Sequence, residues 1–448
     1  MRGLLARLRP PPVVVAAFVT AAALVVLIPA AVMSSMVTAM VFAMLVLFLL
    51  LVVLGFGRTA ELFVILGVVL VPLTRMHPVD ALSFITYADT AFAVGFGLML
   101  PDLIRRPLHL PPVFVLGVSG VLTVALFSSL LSDDPMGSLN ILTRLLVGAF
   151  GLTILINWWS PDRTRVLIVA CAYVLGNVIS VAYGVLKHEV SRDGRRAGLA
   201  EHPNVYGLCA LLAVTVIPFI VTQFPPKWRW LPPALGLVCL YGVWSSGSRA
   251  ALAVMIGVAV IYPVLARSVM AGVGLLAAVT GTLFFIGQLL GEDSTGNALG
   301  RLLGSGSASA SDQARELLFQ QAVDRFWNSP IIGNGLAGII EAHVIYIQIA
   351  AGLGVIGLGF YLLVLWSTVQ PLTVLTPPYS LLALPALSYV ILGFVTPVMW
   401  DRYIWVLLAL AVLAPRLAEA DPVPADEEES PESSGGLHRL NEVADASR

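Results

Sequence analysis

Val205-Tyr-Gly-Leu-Cys-Ala-Leu-Leu-Ala-Val-Thr-Val-Ile-Pro-Phe-Ile-Val-Thr-Gln-Phe224 contains no charged residue. A helix of about twenty such residues spans the hydrocarbon of a bilayer. The run is continuous rather than alternating, so it reads as a membrane helix and not as a barrel strand. Charged residues make up 11% of the chain and hydrophobic residues 58%, far from the quarter of charged residues usual in soluble domains. The mean hydropathy is +0.92. Similar apolar runs recur on both sides, and the expectation is an all-α, polytopic transmembrane bundle of about twelve to fourteen spans.

Arg2, Arg7 and Arg9 precede the first run, Val13–Met33, which reads as an uncleaved span with the N-terminus cytoplasmic. Alternation then places Arg58, Arg105, Arg106, Arg163, Arg165, Lys227, Arg229 and Arg267 on the cytoplasmic side of the cell membrane. Four regions are expected: 1–190, N-terminal spans; 191–370, a core with an outer loop at 291–342; 371–418, C-terminal spans; and 419–448, an acidic cytoplasmic tail. The net charge of −1 argues against a nucleic-acid partner. Cys171, Cys209 and Cys239 all lie in apolar runs with no metal-type spacing, so neither a metal nor a cofactor is expected.

Glu292 to Glu341 is the longest polar interruption. Leu317, Leu318, Gln321, Ala322 and Phe326 have helical spacing there, with Ser311 or Asp312 as the N-cap. Asn328-Ser-Pro330 ends this helix and Gly333-Asn-Gly335 turns the chain.

Three outward features stand out. The loop from Lys187 to Asn204 carries Arg192, Arg195 and Arg196, against the positive-inside tendency, and an anionic ligand is the simplest cause. Ser245-Ser-Gly-Ser-Arg249 opens the next outward-starting span; its guanidinium suits phosphate oxygens and its small residues would admit a head group. Glu341-Ala-His343 enters another span, with Tyr346 one turn below and Gln348 less well aligned. A neutral imidazole can take a proton from a hydroxyl. The count puts all three on one face. Asp89 and Arg144 are intramembrane charges expected to pair with each other. The glycines at 352, 354, 357 and 359 fit close helix packing.

These segments together resemble the O-antigen ligase and O-antigen polymerase superfamily of membrane glycosyltransferases. The resemblance is carried by Arg196-Ala-Gly198 with Pro203-Asn204, by Ser248-Arg249-Ala-Ala251, by Arg315 through Pro330-Ile-Ile-Gly333-Asn-Gly335, and by His343 followed by Gly354-Val-Ile-Gly357. It covers about residues 190 to 370. Val344 departs from it, since ligases of the family place a small polar residue after the histidine. The resemblance implies a polyprenyl-pyrophosphate-linked glycan donor, a hydroxyl-bearing glycan, glycolipid or protein acceptor, and inverting transfer without metal at the outer face of the bilayer. It further implies that Arg196 and Arg249 hold the pyrophosphate, that His343 orients or deprotonates the acceptor, and that Arg315 is a further contact. Arg195, Asn204 and Tyr346 complete the candidate site. The competing reading is a transporter or flippase of lipid-linked or anionic solutes, which calls for charges at the bilayer midplane.

Overall fold

The computed structural model describes residues 36–78, 85–187, 190–191, 194–265, 298–302, 308–337, 342–397 and 401–421, with scattered helical positions between 270 and 284. The first expected span, most of the one at Gly272–Leu290, Arg192, Glu341 and the tail beyond 421 lie outside the described residues. The architecture is all-α, with no strand among the described residues.

In chain order the helices are α1 (Met36–Leu54), α2 (Phe56–Leu70), α3 (Tyr87–Leu103), α4 (Pro112–Leu130), α5 (Pro135–Trp159), α6 (Arg163–Leu186), α7 (Pro203–Gln223) and α8 (Leu231–Ser245). They continue with α9 (Arg249–Leu265), α10 (Ala298–Leu302), α11 (Ala308–Asn328), α12 (Ile345–Val369), α13 (Pro371–Val374), α14 (Leu384–Leu392) and α15 (Arg402–Ala420). Among the described residues α4, α5, α6, α7, α12 and α15 are long and apolar enough to cross a bilayer, as a multi-pass membrane protein requires. Their outer faces are apolar too: α4 buries Phe114, Val118 and Val121 and exposes Val115, Leu116 and Phe127. Such a surface suits lipid rather than water.

Most boundaries fall within a few residues of those read from hydropathy. Helix α5 is an exception, starting at Pro135 rather than Asn140. Asp134 accepts the Gly137 N–H (2.9 Å) and Pro135 occupies the first turn, so the cap sets the start before the apolar run does. A π-helical segment at Leu146–Gly151 lies within α5.

Helices α7 and α15 occupy the centre; 72% of each span is buried. The close helix approach is made by glycines other than those expected. A Cβ on Gly117 of α4 would lie 2.9 Å from Val364 N and 3.0 Å from Phe360 O, so α4 packs directly on the backbone of α12. Gly354 instead breaks α12, with φ 66° and ψ −174°. The turn from Pro330 to Gly335 fills that break: Val355 N–H donates to Pro330 O (2.8 Å), Asn334 N–H to Ala351 O (3.1 Å) and Gly335 N–H to Gly352 O (3.0 Å). The Val355 N–H and the Ala351 and Gly352 carbonyls beside the break are thereby satisfied.

Polar contacts gather in two layers at opposite ends of the bundle. At one end Arg165 pairs with Glu61 (2.8 Å), Arg163 with Asp421 (2.7 Å), and Trp158 Nε1–H donates to Arg106 O (3.0 Å). At the other, Arg75 N–H donates to Leu199 O (3.0 Å), His77 approaches Glu201 (3.2 Å) and Ala337 N–H donates to Ser138 Oγ (2.8 Å). The loops joined within each layer are those assigned to one side by alternation.

The expected Asp89–Arg144 pair does not form. Asp89 closes a capping box with Thr86 at the start of α3 and is ion-paired with Arg402 of α15. Arg144 is exposed on α5, in the last turn before the π-helical segment. The cap at Thr86 puts Asp89 in a first turn, where a carboxylate meets the positive end of the helix.

Candidate functional site

The site lies where the starts of α7, α9 and α12 meet. Helix α7 begins with His202 as N-cap and Pro203 at its first position; His202 Nδ1 accepts the Asn204 N–H (3.1 Å). Arg195, almost fully buried, donates Nε–H to Ser246 O (2.9 Å) and Nη2–H to Asn204 Oδ1. Arg196 N–H donates to Ser245 O (2.9 Å), which ties the 194–202 loop to the end of α8. A tight turn follows at Gly247, where φ is +65°. Ser246 Oγ accepts the Ser248 N–H (3.0 Å), and Ser248 Oγ accepts the Ala251 N–H (3.3 Å), capping α9 directly ahead of Arg249.

The small residues of this turn serve packing more than ligand access. Ser245 and Ser246 are buried, and a Cβ on Gly207 of α7 would lie 2.5 Å from Ser246 Oγ. Gly247 and Ser248 remain at the cavity wall.

A cavity of about 330 Å³ opens here, lined by residues including His202, Asn204, Arg249, Arg301, Arg315 and His343. Among the described residues, three that line it are arginines and none is Asp or Glu. Beside Ser248 and Thr396, the wall is largely apolar, from Val205 and Leu208 of α7 to Leu392 and Val395 at and after the end of α14. Three guanidiniums lining one cavity beside apolar surface suit an anionic group on a lipid-like carrier.

His343 is half-buried and adopts a left-handed backbone, φ 53°. Ser160, the other described non-glycine residue of this kind, is a helix C-cap, where that conformation is common. His343 precedes a helix, where it is not. The strain costs on the order of 1–3 kcal/mol and is characteristic of functional sites. The Ile345 N–H donates to Gly393 O (2.8 Å), pinning the start of α12 against the end of α14.

Arg249, Arg315, Asn204 and His343 thus share one wall-to-wall space, although the chain separates them by up to 139 positions (343 − 204). Arg195 reaches it through Asn204. Arg196 and Tyr346 are not among the cavity lining. The Arg196 side chain donates to Tyr241 OH and lies over its ring (5.8 Å). Tyr346 OH donates to Val390 O (2.5 Å), and its ring packs on Phe394 (4.6 Å between centroids).

Two lining residues able to bind a ligand, Arg301 and His202, have no role assigned from the sequence, although His202-Pro203-Asn204 follows the basic loop. Arg301, buried on the short α10, donates Nη1–H to Gly247 O (3.0 Å). Its sequence surroundings, a Gly- and Ser-rich stretch, carry no signal that it turns inward. His202 carried a local signal, since His-Pro-Asn opens an apolar run as an N-cap does. Helix α11 begins at Ala308, so both expected N-caps, Ser311 and Asp312, lie within the helix rather than ahead of it. No group of three or more His, Cys, Asp or Glu side chains able to hold a metal occurs among the described residues. No protein-family model matches the chain, and no curated protein matches it.

Proposed function

We propose that this protein is an O-antigen ligase-like or polymerase-like membrane glycosyltransferase. In this reading it moves a polyprenyl-pyrophosphate-linked glycan onto a hydroxyl acceptor at the outer face of the cell membrane, during cell-surface polysaccharide synthesis. The observation that carries the reading is the shared cavity: Arg249, Arg301 and Arg315 line the same space as His343, with no carboxylate among the described lining residues. The proposed orientation places the cavity outside and both termini in the cytoplasm.

The acceptor oxygen attacks the anomeric carbon of the donor. Its O–H proton passes to His343 as the new glycosidic C–O bond forms on one face of that carbon. The bond from the anomeric carbon to the diphosphate oxygen breaks on the opposite face, so configuration inverts. The prenyl diphosphate departs with the electron pair, and the arginines stabilise the negative charge it gains. Arg195 holds Asn204 in place from behind. The apolar wall from α7 and α14 accommodates the first isoprene units.

The test uses the purified protein in liposomes with a synthetic polyprenyl-diphosphate oligosaccharide and a hydroxyl acceptor, read by the mass of the product. The expected result is transfer by the wild type and none by the folded His343→Ala variant. Undiminished transfer by that variant removes His343 from the chemistry. Donor movement across the bilayer with no acceptor present would mark a flippase instead.

A further inference from the structure

Among the described residues two histidines, His202 and His343, line the cavity, and their settings differ. His202 is the N-cap of α7, and its Nδ1 accepts the Asn204 N–H at 3.1 Å. A neutral imidazole with Nδ1 engaged as an acceptor carries its hydrogen on Nε2 and is there a donor. The ring is exposed while still lining the cavity, which places it at the mouth rather than the floor. His343, by contrast, is half-buried on a strained backbone.

We infer that His202 is a binding residue of this cavity, donating Nε2–H to a diphosphate oxygen at the mouth, and that it does not exchange protons with the acceptor. The inference rests on the donor chemistry proposed above. To act as a base through Nε2, the ring would have to move its hydrogen to Nδ1 and abandon the cap of α7. Asn204 joins this donor to the buried Arg195 behind the cavity, since its N–H is accepted by the His202 ring while its Oδ1 holds Arg195. The two histidines therefore divide the work, with a fixed donor for the leaving group and a separate proton acceptor for the attacking hydroxyl.

The variant His202→Asn separates the two roles of the side chain. Asn is among the best N-caps, and its Oδ1 replaces Nδ1, while nothing replaces the distal N–H. His202→Gln carries an amide N–H out to the distal position and gives up the cap. The measurement is binding of inorganic pyrophosphate to the purified full-length protein, by calorimetry and by the shift in unfolding temperature. His202→Asn should unfold at the wild-type temperature without ligand and bind pyrophosphate about tenfold more weakly, roughly 1.4 kcal/mol. His202→Gln should regain part of that affinity. Should His202→Asn fail to fold, His202→Ser supplies the same comparison with another capping side chain. Wild-type affinity in the folded Asn or Ser variant overturns the inference, as does a wild-type protein that binds no pyrophosphate. A protein that binds pyrophosphate through His202 yet transfers no glycan leaves the inference standing and removes the proposed reaction.

Discussion

Gly354 and Ile331 meet backbone to backbone: a Cβ added to Gly354 would lie 2.1 Å from the Ile331 carbonyl oxygen. The glycine has φ 66° and ψ −174°, a region essentially closed to residues with a side chain. The break it creates receives the turn that follows α11, the helix bearing Arg315. Asn334 Nδ2 locks the two together, donating to Arg325 O (2.7 Å) and Ala351 O (3.1 Å). Gly354→Ala should therefore lower the unfolding temperature sharply, by a loss of about 3 kcal/mol or more, and abolish transfer. Gly359→Ala is the control, since a Cβ there meets open space, and it should be neutral or slightly stabilising. Thermal unfolding of the two variants side by side is the check; equal stability would mean that the turn does not depend on the break.

Asp89 and Arg402 join the start of α3 to the start of α15 at the cavity end of the bundle. Their side chains are 23% and 30% exposed, so water screens the pair. A double-mutant cycle of Asp89→Asn and Arg402→Gln should give a coupling of about 1 kcal/mol or less. The same cycle with Arg144→Gln should give none, because Arg144 is exposed on α5 and Asp89 is held by Arg402. A larger coupling to Arg144 than to Arg402 would overturn the assignment.

Much of the fold could be read from the sequence, for a definite reason. A bilayer demands long apolar helices, and alternation from Arg2, Arg7 and Arg9 then sorts every loop to one end or the other. The contacts Arg75–Leu199 and Arg163–Asp421 join loops sorted to the same end. What the sequence hid was side-chain direction. Arg195 and Arg196 are neighbours, and nothing in their order tells which will turn toward Asn204 and which will lie on Tyr241. The glycines of α12 have the spacing of a packing motif, yet the packing falls to Gly117 of α4. Gly354 serves a backbone break that only the docked turn makes intelligible.

Tyr346 tests that distinction. Its hydroxyl donates to Val390 O (2.5 Å), bracing α12 against α14, and its ring is outside the cavity lining. Tyr346→Phe should cost roughly 1 kcal/mol of stability, one hydrogen bond, and leave kcat/KM within a fewfold of wild type. A hundredfold loss at unchanged stability would instead place the hydroxyl on the substrate.

The arginines carry the strongest demand. Arg249 stands at the first turn of α9, directly after the Ser248 cap, and Arg301 reaches the same space from α10 with its Nη1–H on Gly247 O (3.0 Å). A guanidinium grips two phosphate oxygens at once, whereas an ammonium offers a point charge. Arg249→Lys should therefore keep the fold and the charge yet lower kcat/KM for the lipid-linked donor by about tenfold to a hundredfold. That loss corresponds to one charge-assisted hydrogen bond of roughly 1.5–3 kcal/mol. Arg301→Ala should fall at least as far, and it should also loosen the Gly247 turn, which the unfolding temperature would register. Kinetics on both variants, with donor concentration varied at saturating acceptor, separate the effects. A rise in KM alone places the arginine on the ground-state diphosphate; an equal fall in kcat and kcat/KM places it on the departing one. Wild-type kinetics for Arg249→Lys would leave a simple cation at this position and remove the bidentate grip from the proposed mechanism.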